Sequence, residues 1–227
     1  MVPLAEALAQ DGLTVHIARL AGHGTSPEDL AQTSWQDWIA SAQRAYDALA
    51  KQCRTIAVGG LSMGGSLALH LAATTAAGPT AAAPAAVIAM ATPVRLRPLL
   101  HRLARAARPV LPFAPVVLRV GPRAAEVMPY RASYRRIPLG VVGDLSSLLD
   151  RTRELLPKVQ APLLVVQGRW DWVIPGESAE VIYSRVASSV RRLLWLPHSS
   201  HLVTLDRDRA VLFAEVRGFL REHLPAV

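Results

Sequence analysis

Thr55-Ile56-Ala57-Val58-Gly59-Gly60-Leu61-Ser62-Met63-Gly64-Gly65 is the stretch whose reading decides the fold. It opens as a short apolar strand, Thr55 to Gly59, and an Ala/Leu-rich helical run follows it directly. Between them, Gly60-Leu61-Ser62-Met63-Gly64 has the G-x-S-x-G spacing of a nucleophile elbow. A strand that becomes a helix over so few residues leaves no room for bulky side chains on either flank. The strained turn lifts the Ser62 hydroxyl to the open end of a sheet, and the helix N-terminus favours negative charge developing there. Ser62 is the candidate nucleophile, and Met63 is the candidate substrate contact through its backbone N–H. The five-residue pattern is weak by itself; its place between a buried strand and a helix gives it weight.

Working outward, Leu4 to Ala9 reads as a helix ended by Gly12, and Leu13 to Arg19 as a strand rich in β-branched residues. Gly22-His23-Gly24-Thr25-Ser26-Pro27 is a turn cluster. Ser34 caps a helix that is apolar at Trp35, Trp38, Ala42, Ala45 and Leu49. Downstream, Ala86 to Met90, Leu163 to Gln167 and Arg191 to Leu196 read as strands. Ser178 to Val186 and Asp208 to His223 read as helices. Alternating strands and helices, with several strands apolar on both faces, predict an α/β fold whose mostly parallel sheet carries helices on both sides. Residues 93–156, with eight prolines and two expected helices, interrupt the alternation and read as a small inserted cap within a single domain of residues 1–227.

A serine hydroxyl is a poor nucleophile until a base takes its proton, and the base needs an acid to hold its tautomer. In this kind of fold the order along the chain is serine, acid, histidine. Asp171 stands in the loop after the strand that ends at Gln167, with Asp144, Asp150 and Glu177 as competitors. His198 and His201 share the loop after the last strand; His201 is preferred because it stands closer to the final helix. His223 falls on that helix, while His16, His70 and His101 come too early. No metal-ligand spacing is present, so no metal is expected.

These pieces together resemble the bacterial carboxylesterase and monoacylglycerol lipase group of the α/β-hydrolases. The resemblance rests on Arg19-Leu20-Ala21-Gly22-His23-Gly24-Thr25-Ser26, Thr33-Ser34-Trp35-Gln36-Asp37-Trp38, the elbow, Asp171 through Pro175, and Ser200-His201-Leu202-Val203-Thr204-Leu205-Asp206. It implies an α/β-hydrolase fold and an acyl-serine mechanism: Ser62 as nucleophile, His201 as base, Asp171 as its orienter, Met63 as an oxyanion donor, and no cofactor. It assigns Trp35, Trp38 and His23 structural roles. It also implies an earlier strand ending in a His-Gly loop that supplies a second oxyanion N–H. The sequence begins at the helix after that loop, so the fold is expected to be N-terminally truncated, with the true start upstream of Met1. The alternative to an active esterase is an impaired hydrolase-like protein that binds an acyl ligand without turnover.

Composition sets the outer limits. A length of 227 residues and 51% apolar content suit one domain with a sizeable core. The lone Cys53 allows no internal disulfide and fits a cytoplasmic location. The first residues lack the charge pattern of a signal peptide. The net charge of +8 is concentrated in residues 93–136, where ten arginines (Arg95, Arg97, Arg102, Arg105, Arg108, Arg119, Arg123, Arg131, Arg135, Arg136) face one acid, Glu126. No nucleic-acid-binding motif accompanies that charge, so no nucleic-acid partner is expected. An arginine-rich solvated face accounts for it, and it would suit peripheral contact with a lipid interface around a small acyl ester substrate. The apolar run Val110 to Leu118 in the expected cap would suit an acyl chain.

Overall fold

The computed structural model describes residues 1–75, 83–96, 102–103, 106–107, 109–115 and 134–225. Seven helices among them are α1 (Val2–Gln10), α2 (Pro27–Ala31), α3 (Trp35–Ala50), α4 (Met63–Thr75), α5 (Gly140–Leu155), α6 (Glu177–Arg185) and α7 (Arg209–His223). The strands are β1 (Ala57–Leu61), β2 (Ala86–Met90), β3 (Phe113–Pro115), β4 (Arg136–Pro138), β5 (Leu163–Gly168) and β6 (Arg191–Leu196). The main sheet has the order β1-β2-β5-β6 and every pair in it is parallel; β3 and β4 form a separate antiparallel pair.

Sequence explains this layering. All residues of β2 and β5 are buried, as befits central strands of a parallel sheet covered on both faces. On one face, Leu69, Ala72, Val87, Leu163, Val165 and Ile182 join α4 and α6 to the sheet. On the other, Leu4, Met90, Leu164, Val166, Leu212 and Phe219 join α1 and α7 to it. A third cluster packs Trp38 and Tyr46 of α3 against Leu67 and Leu71 of α4 and Leu148 of α5. Ser34 opens α3 with a full capping box, its hydroxyl accepting from the Asp37 N–H while the Asp37 carboxylate accepts from the Ser34 N–H. Gly12 follows α1 with φ +89°, the left-handed conformation that glycine adopts without strain.

One expected strand does not form. Among the described residues, 13–20 carry no strand pairing, and β1 pairs with β2 alone, which leaves its other edge open. Between them lies an apolar slot of about 910 Å³, lined by Leu4 and Leu8 of α1, residues 13–18, all of β1, Tyr46 and Leu220. The β-branched residues Val15 and Ile17 are 37% and 50% exposed there. Strand propensity needs a hydrogen-bonding neighbour, and no described residue supplies one across the slot.

Residues 93–156 enter after β2 and leave before β5, two strands that pair directly. One of the two helices expected in this stretch is α5; of the other, only residues 102–103 and 106–107 are described, and they are helical. Residues 116–118 of the apolar run, and Arg97, Arg105, Arg108, Arg119, Arg123 and Arg131, lie outside the described residues. The stretch is tied to the rest near its end. The Tyr134 hydroxyl donates to the Gly22 carbonyl at 2.7 Å and accepts from the Thr25 N–H at 2.9 Å. Arg136 pairs with Glu28, and Asp144 accepts from the Trp35 N–H at 3.2 Å.

Candidate active site

All four strands of the main sheet run in one direction, so their carboxyl ends share one edge, where ligands of open α/β sheets bind. Ser62 follows β1, Asp171 follows β5, and His201 follows β6.

Ser62 adopts φ 56°, a left-handed conformation that a non-glycine residue holds only where its surroundings enforce it. Its N–H donates to the Met90 carbonyl at 2.8 Å, and its own carbonyl accepts from Gly65 and Ser66, which starts α4. The neighbouring glycines have unequal roles. A Cβ on Gly60 would lie 2.1 Å from the Gly64 carbonyl carbon, and one on Gly65 would lie 1.9 Å from Thr92 Oγ1. A Cβ on Gly64 would meet nothing within 4 Å. The second position intolerant of bulk is therefore Gly65, one residue beyond the five-residue pattern, because α4 crosses Thr92 there. Met63 begins α4, so its N–H precedes every carbonyl of that helix.

Asp171 is saturated. Its Oδ1 accepts from the Val173 and Ile174 N–H groups, both at 2.9 Å. Its Oδ2 accepts from Gln167 Nε2 at 2.9 Å and from His201 Nδ1 at 3.0 Å. The Asp171 side chain is fully buried and that of His201 is 9% exposed. A carboxylate only accepts, so His201 carries its proton on Nδ1 and leaves the Nε2 lone pair free to act as a base.

Of the four residues singled out from sequence, the structure joins Asp171 and His201 directly. No hydrogen bond joins Ser62 to His201 among the described residues, and Met63 comes in with Ser62 through the elbow. The competing acids have other tasks: Asp144 caps α3, Asp150 pairs with Arg153, and Glu177 pairs with Arg95 in the open. His198 bonds Asp208 instead of Asp171, and His223 packs edge-on against Phe219. His23 bonds the Ala21 carbonyl and stands edge-on to the fully buried Trp38, so both serve the fold.

Two site residues escape a reading by motif. Gln167 is a completely buried amide at the end of an otherwise apolar strand, and that polar intrusion is the signal that could have found it. Gly168 lets the histidine loop approach, since a Cβ there would lie 2.4 Å from both the Ser199 and Ser200 carbonyl oxygens. No group of three or more His, Cys, Asp or Glu among the described residues could hold a metal ion.

Comparison with known proteins identifies the family and the fold. The family model described as serine aminopeptidase, S33, matches residues 1–208. The chain is 31% identical over 223 residues to a thermostable monoacylglycerol lipase of Bacillus sp. (strain H-257), covering 98% of this chain and 85% of that protein. It is 27% identical over 219 residues to a carboxylesterase of Bacillus subtilis (strain 168), covering 95% and 84%. Among solved structures, one from work on the metagenome-derived lipolytic enzymes LipS and LipT superposes with a TM-score of 0.89 at 31% identity, covering 98% of this chain and 88% of that one. The chain belongs to the serine aminopeptidase S33 family of α/β-hydrolases.

Proposed function

We propose that the chain hydrolyses carboxylic esters through an acyl-Ser62 intermediate, with His201 as general base and acid, Asp171 as its orienter and the Met63 N–H as an oxyanion donor. The observation that carries this reading is the buried Asp171–His201 bond at 3.0 Å, at the same sheet edge as a serine in a strained elbow. His201 Nε2 takes the Ser62 proton as Oγ attacks the ester carbonyl carbon. The developing oxyanion meets the Met63 N–H at the start of α4. His201 then protonates the departing alcohol, and water, deprotonated by the same nitrogen, releases the acid.

The relatives named monoacylglycerol lipase and carboxylesterase support small acyl esters, monoacylglycerols among them, as substrates. Residues 93–156 serve as the cap over the site in this reading. Their ties to the turn at Gly22 and Thr25 and to Glu28 of α2 support it, as does the exposed apolar pair Val110 and Leu111. The same exposed pair and the net charge of +8 support peripheral contact with lipid interfaces. No described helix is long and apolar enough to cross a membrane. The unpaired Cys53 supports a reducing, cytoplasmic setting.

A panel of p-nitrophenyl and glycerol monoesters of graded acyl length tests the reading. Turnover that disappears in Ser62→Ala and in His201→Ala, and survives in His198→Ala, is expected. Turnover that survives Ser62→Ala would overturn it. An acyl ester that binds the folded wild-type chain without turnover would favour the impaired, ligand-binding alternative.

A further inference from the structure

The loop that carries His201, Pro197 to His201, is held from two sides. On the β5 side, the Trp170 N–H donates to the Ser199 carbonyl at 3.0 Å, in the gap that Gly168 leaves open. On the α7 side, two carboxylates take the loop's polar hydrogens. Asp208 accepts from the His198 N–H at 2.7 Å, from the Ser199 hydroxyl at 2.9 Å and from His198 Nδ1 at 3.2 Å. Asp206 Oδ2 accepts from the Ser200 N–H at 2.8 Å and the Ser200 hydroxyl at 2.6 Å.

Asp208 occupies the N-cap position of α7, where an aspartate ordinarily accepts from its own helix's first N–H groups. Its side chain makes no such bond and points back at the loop instead. Asp206 likewise turns back six residues. The helix gives up its cap, and what gains is the chain that ends in His201. Ser199, fully buried, also accepts from the Asp208 N–H at 3.2 Å, which closes the ring of bonds.

We propose that Asp206 and Asp208 are positioning residues for His201, latching its loop so that Nδ1 meets Asp171 and Nε2 faces the Ser62 elbow. Asp208 also engages the His198 ring, which stands edge-on to Trp170. The activity arm of the test rests on the hydrolase reading above; the spectroscopic arm does not.

The experiment uses the full chain labelled with ¹⁵N-histidine. The hydrogen-bonded His201 Nδ1–H gives a low-field proton signal, identified by its loss in His201→Ala. Asp206→Ala and Asp208→Ala are expected to lose or shift that signal while the circular dichroism spectrum stays folded. Their rate of Ser62 labelling by a fluorophosphonate falls by roughly 10- to 100-fold, the scale of a catalytic group displaced by about 1 Å. Asn at either position keeps an acceptor oxygen and restores most of both readouts. Should an alanine variant fail to fold, Ser199→Ala and Ser200→Ala carry the same test with a smaller loss, each removing one hydroxyl from the latch. Variants that fold with the wild-type His201 signal and labelling rate would overturn the proposal. A wild-type chain that shows the signal, loses it in the aspartate variants and takes no label at Ser62 would overturn the hydrolase reading and leave the latch standing.

Discussion

Ser62, at φ 56°, stores strain that only a fixed frame maintains, and the frame is made of two glycines with no space around them. Substituting Gly60 or Gly65 by alanine drives a Cβ into backbone or into Thr92, an overpacking that costs about 1–3 kcal/mol or more. Gly64→Ala enters open space inside a helix and is expected to stabilise the fold by about 0.5–1 kcal/mol. Urea titration of the three variants checks the order. Gln167 shares the Asp171 oxygen that His201 uses, and its own buried Oε1 has no hydrogen-bond partner among the described residues. Gln167→Leu therefore removes one of four bonds to Asp171, and kcat is expected to fall with KM little changed. At this scale the sequence was legible where chemistry demands a residue type: it offered Ser62, Met63, Asp171 and His201 as candidates. It was opaque for Gln167, Gly168, Asp206 and Asp208, whose roles depend on which loops touch. Two loops thirty residues apart in sequence reveal that only when folded.

Among the elements, helices and buried strands were readable because their signals are local. The capping box at Ser34 and Asp37 and the apolar runs of β2 and β5 needed no partner to be recognised. Leu13 to Arg19 has equal β-propensity and forms no ladder, because a strand is a property of a pair. Packing between helices also makes a pH-sensitive point. His70 of α4 is buried with no partner for its Nδ1 among the described residues, and burial, with Arg151 of α5 nearby, holds its pKa below the usual 6.5. The unfolded chain then takes up the proton first, so the stability from a neutral His70 is complete above pH 6.5 and is lost as pH falls below it. Asp208 adds to this in stronger acid. Burial pushes its carboxyl up, but the bonds from His198 and Ser199 outweigh that and hold it below its usual value. Its contribution is lost as pH falls below the ordinary carboxylate range. Denaturation midpoints between pH 8 and 5 are expected to drop for the wild type and to flatten in His70→Leu.

Across the whole molecule, the apolar slot beside β1 sets the physical behaviour. Folded interiors are close-packed, and an apolar opening of about 910 Å³ next to a strand edge that no described residue pairs is sticky. The 227-residue chain is expected to enhance the fluorescence of an apolar-surface dye in its native state, and to elute at a size that grows with concentration. A folded, monomeric chain that leaves the dye dark would contradict the open slot. The slot also explains why fold and site were unequally legible. The order of elements, the place of residues 93–156 between β2 and β5 and the elbow all follow sequence order, whereas the gap appears only when β1 and residues 13–18 are seen across from each other. The Ser62 turn borders that slot and the Asp171–His201 pair stands two and three strands away, so activity requires these parts to act together across the sheet.

The most direct test is reaction of the folded chain with a fluorophosphonate, followed by peptide mass spectrometry. An adduct on Ser62 that is abolished in His201→Ala and strongly reduced in Asp171→Asn is the predicted result. A folded chain that takes no adduct, or takes it on another serine, would show that Ser62, Asp171 and His201 do not act together.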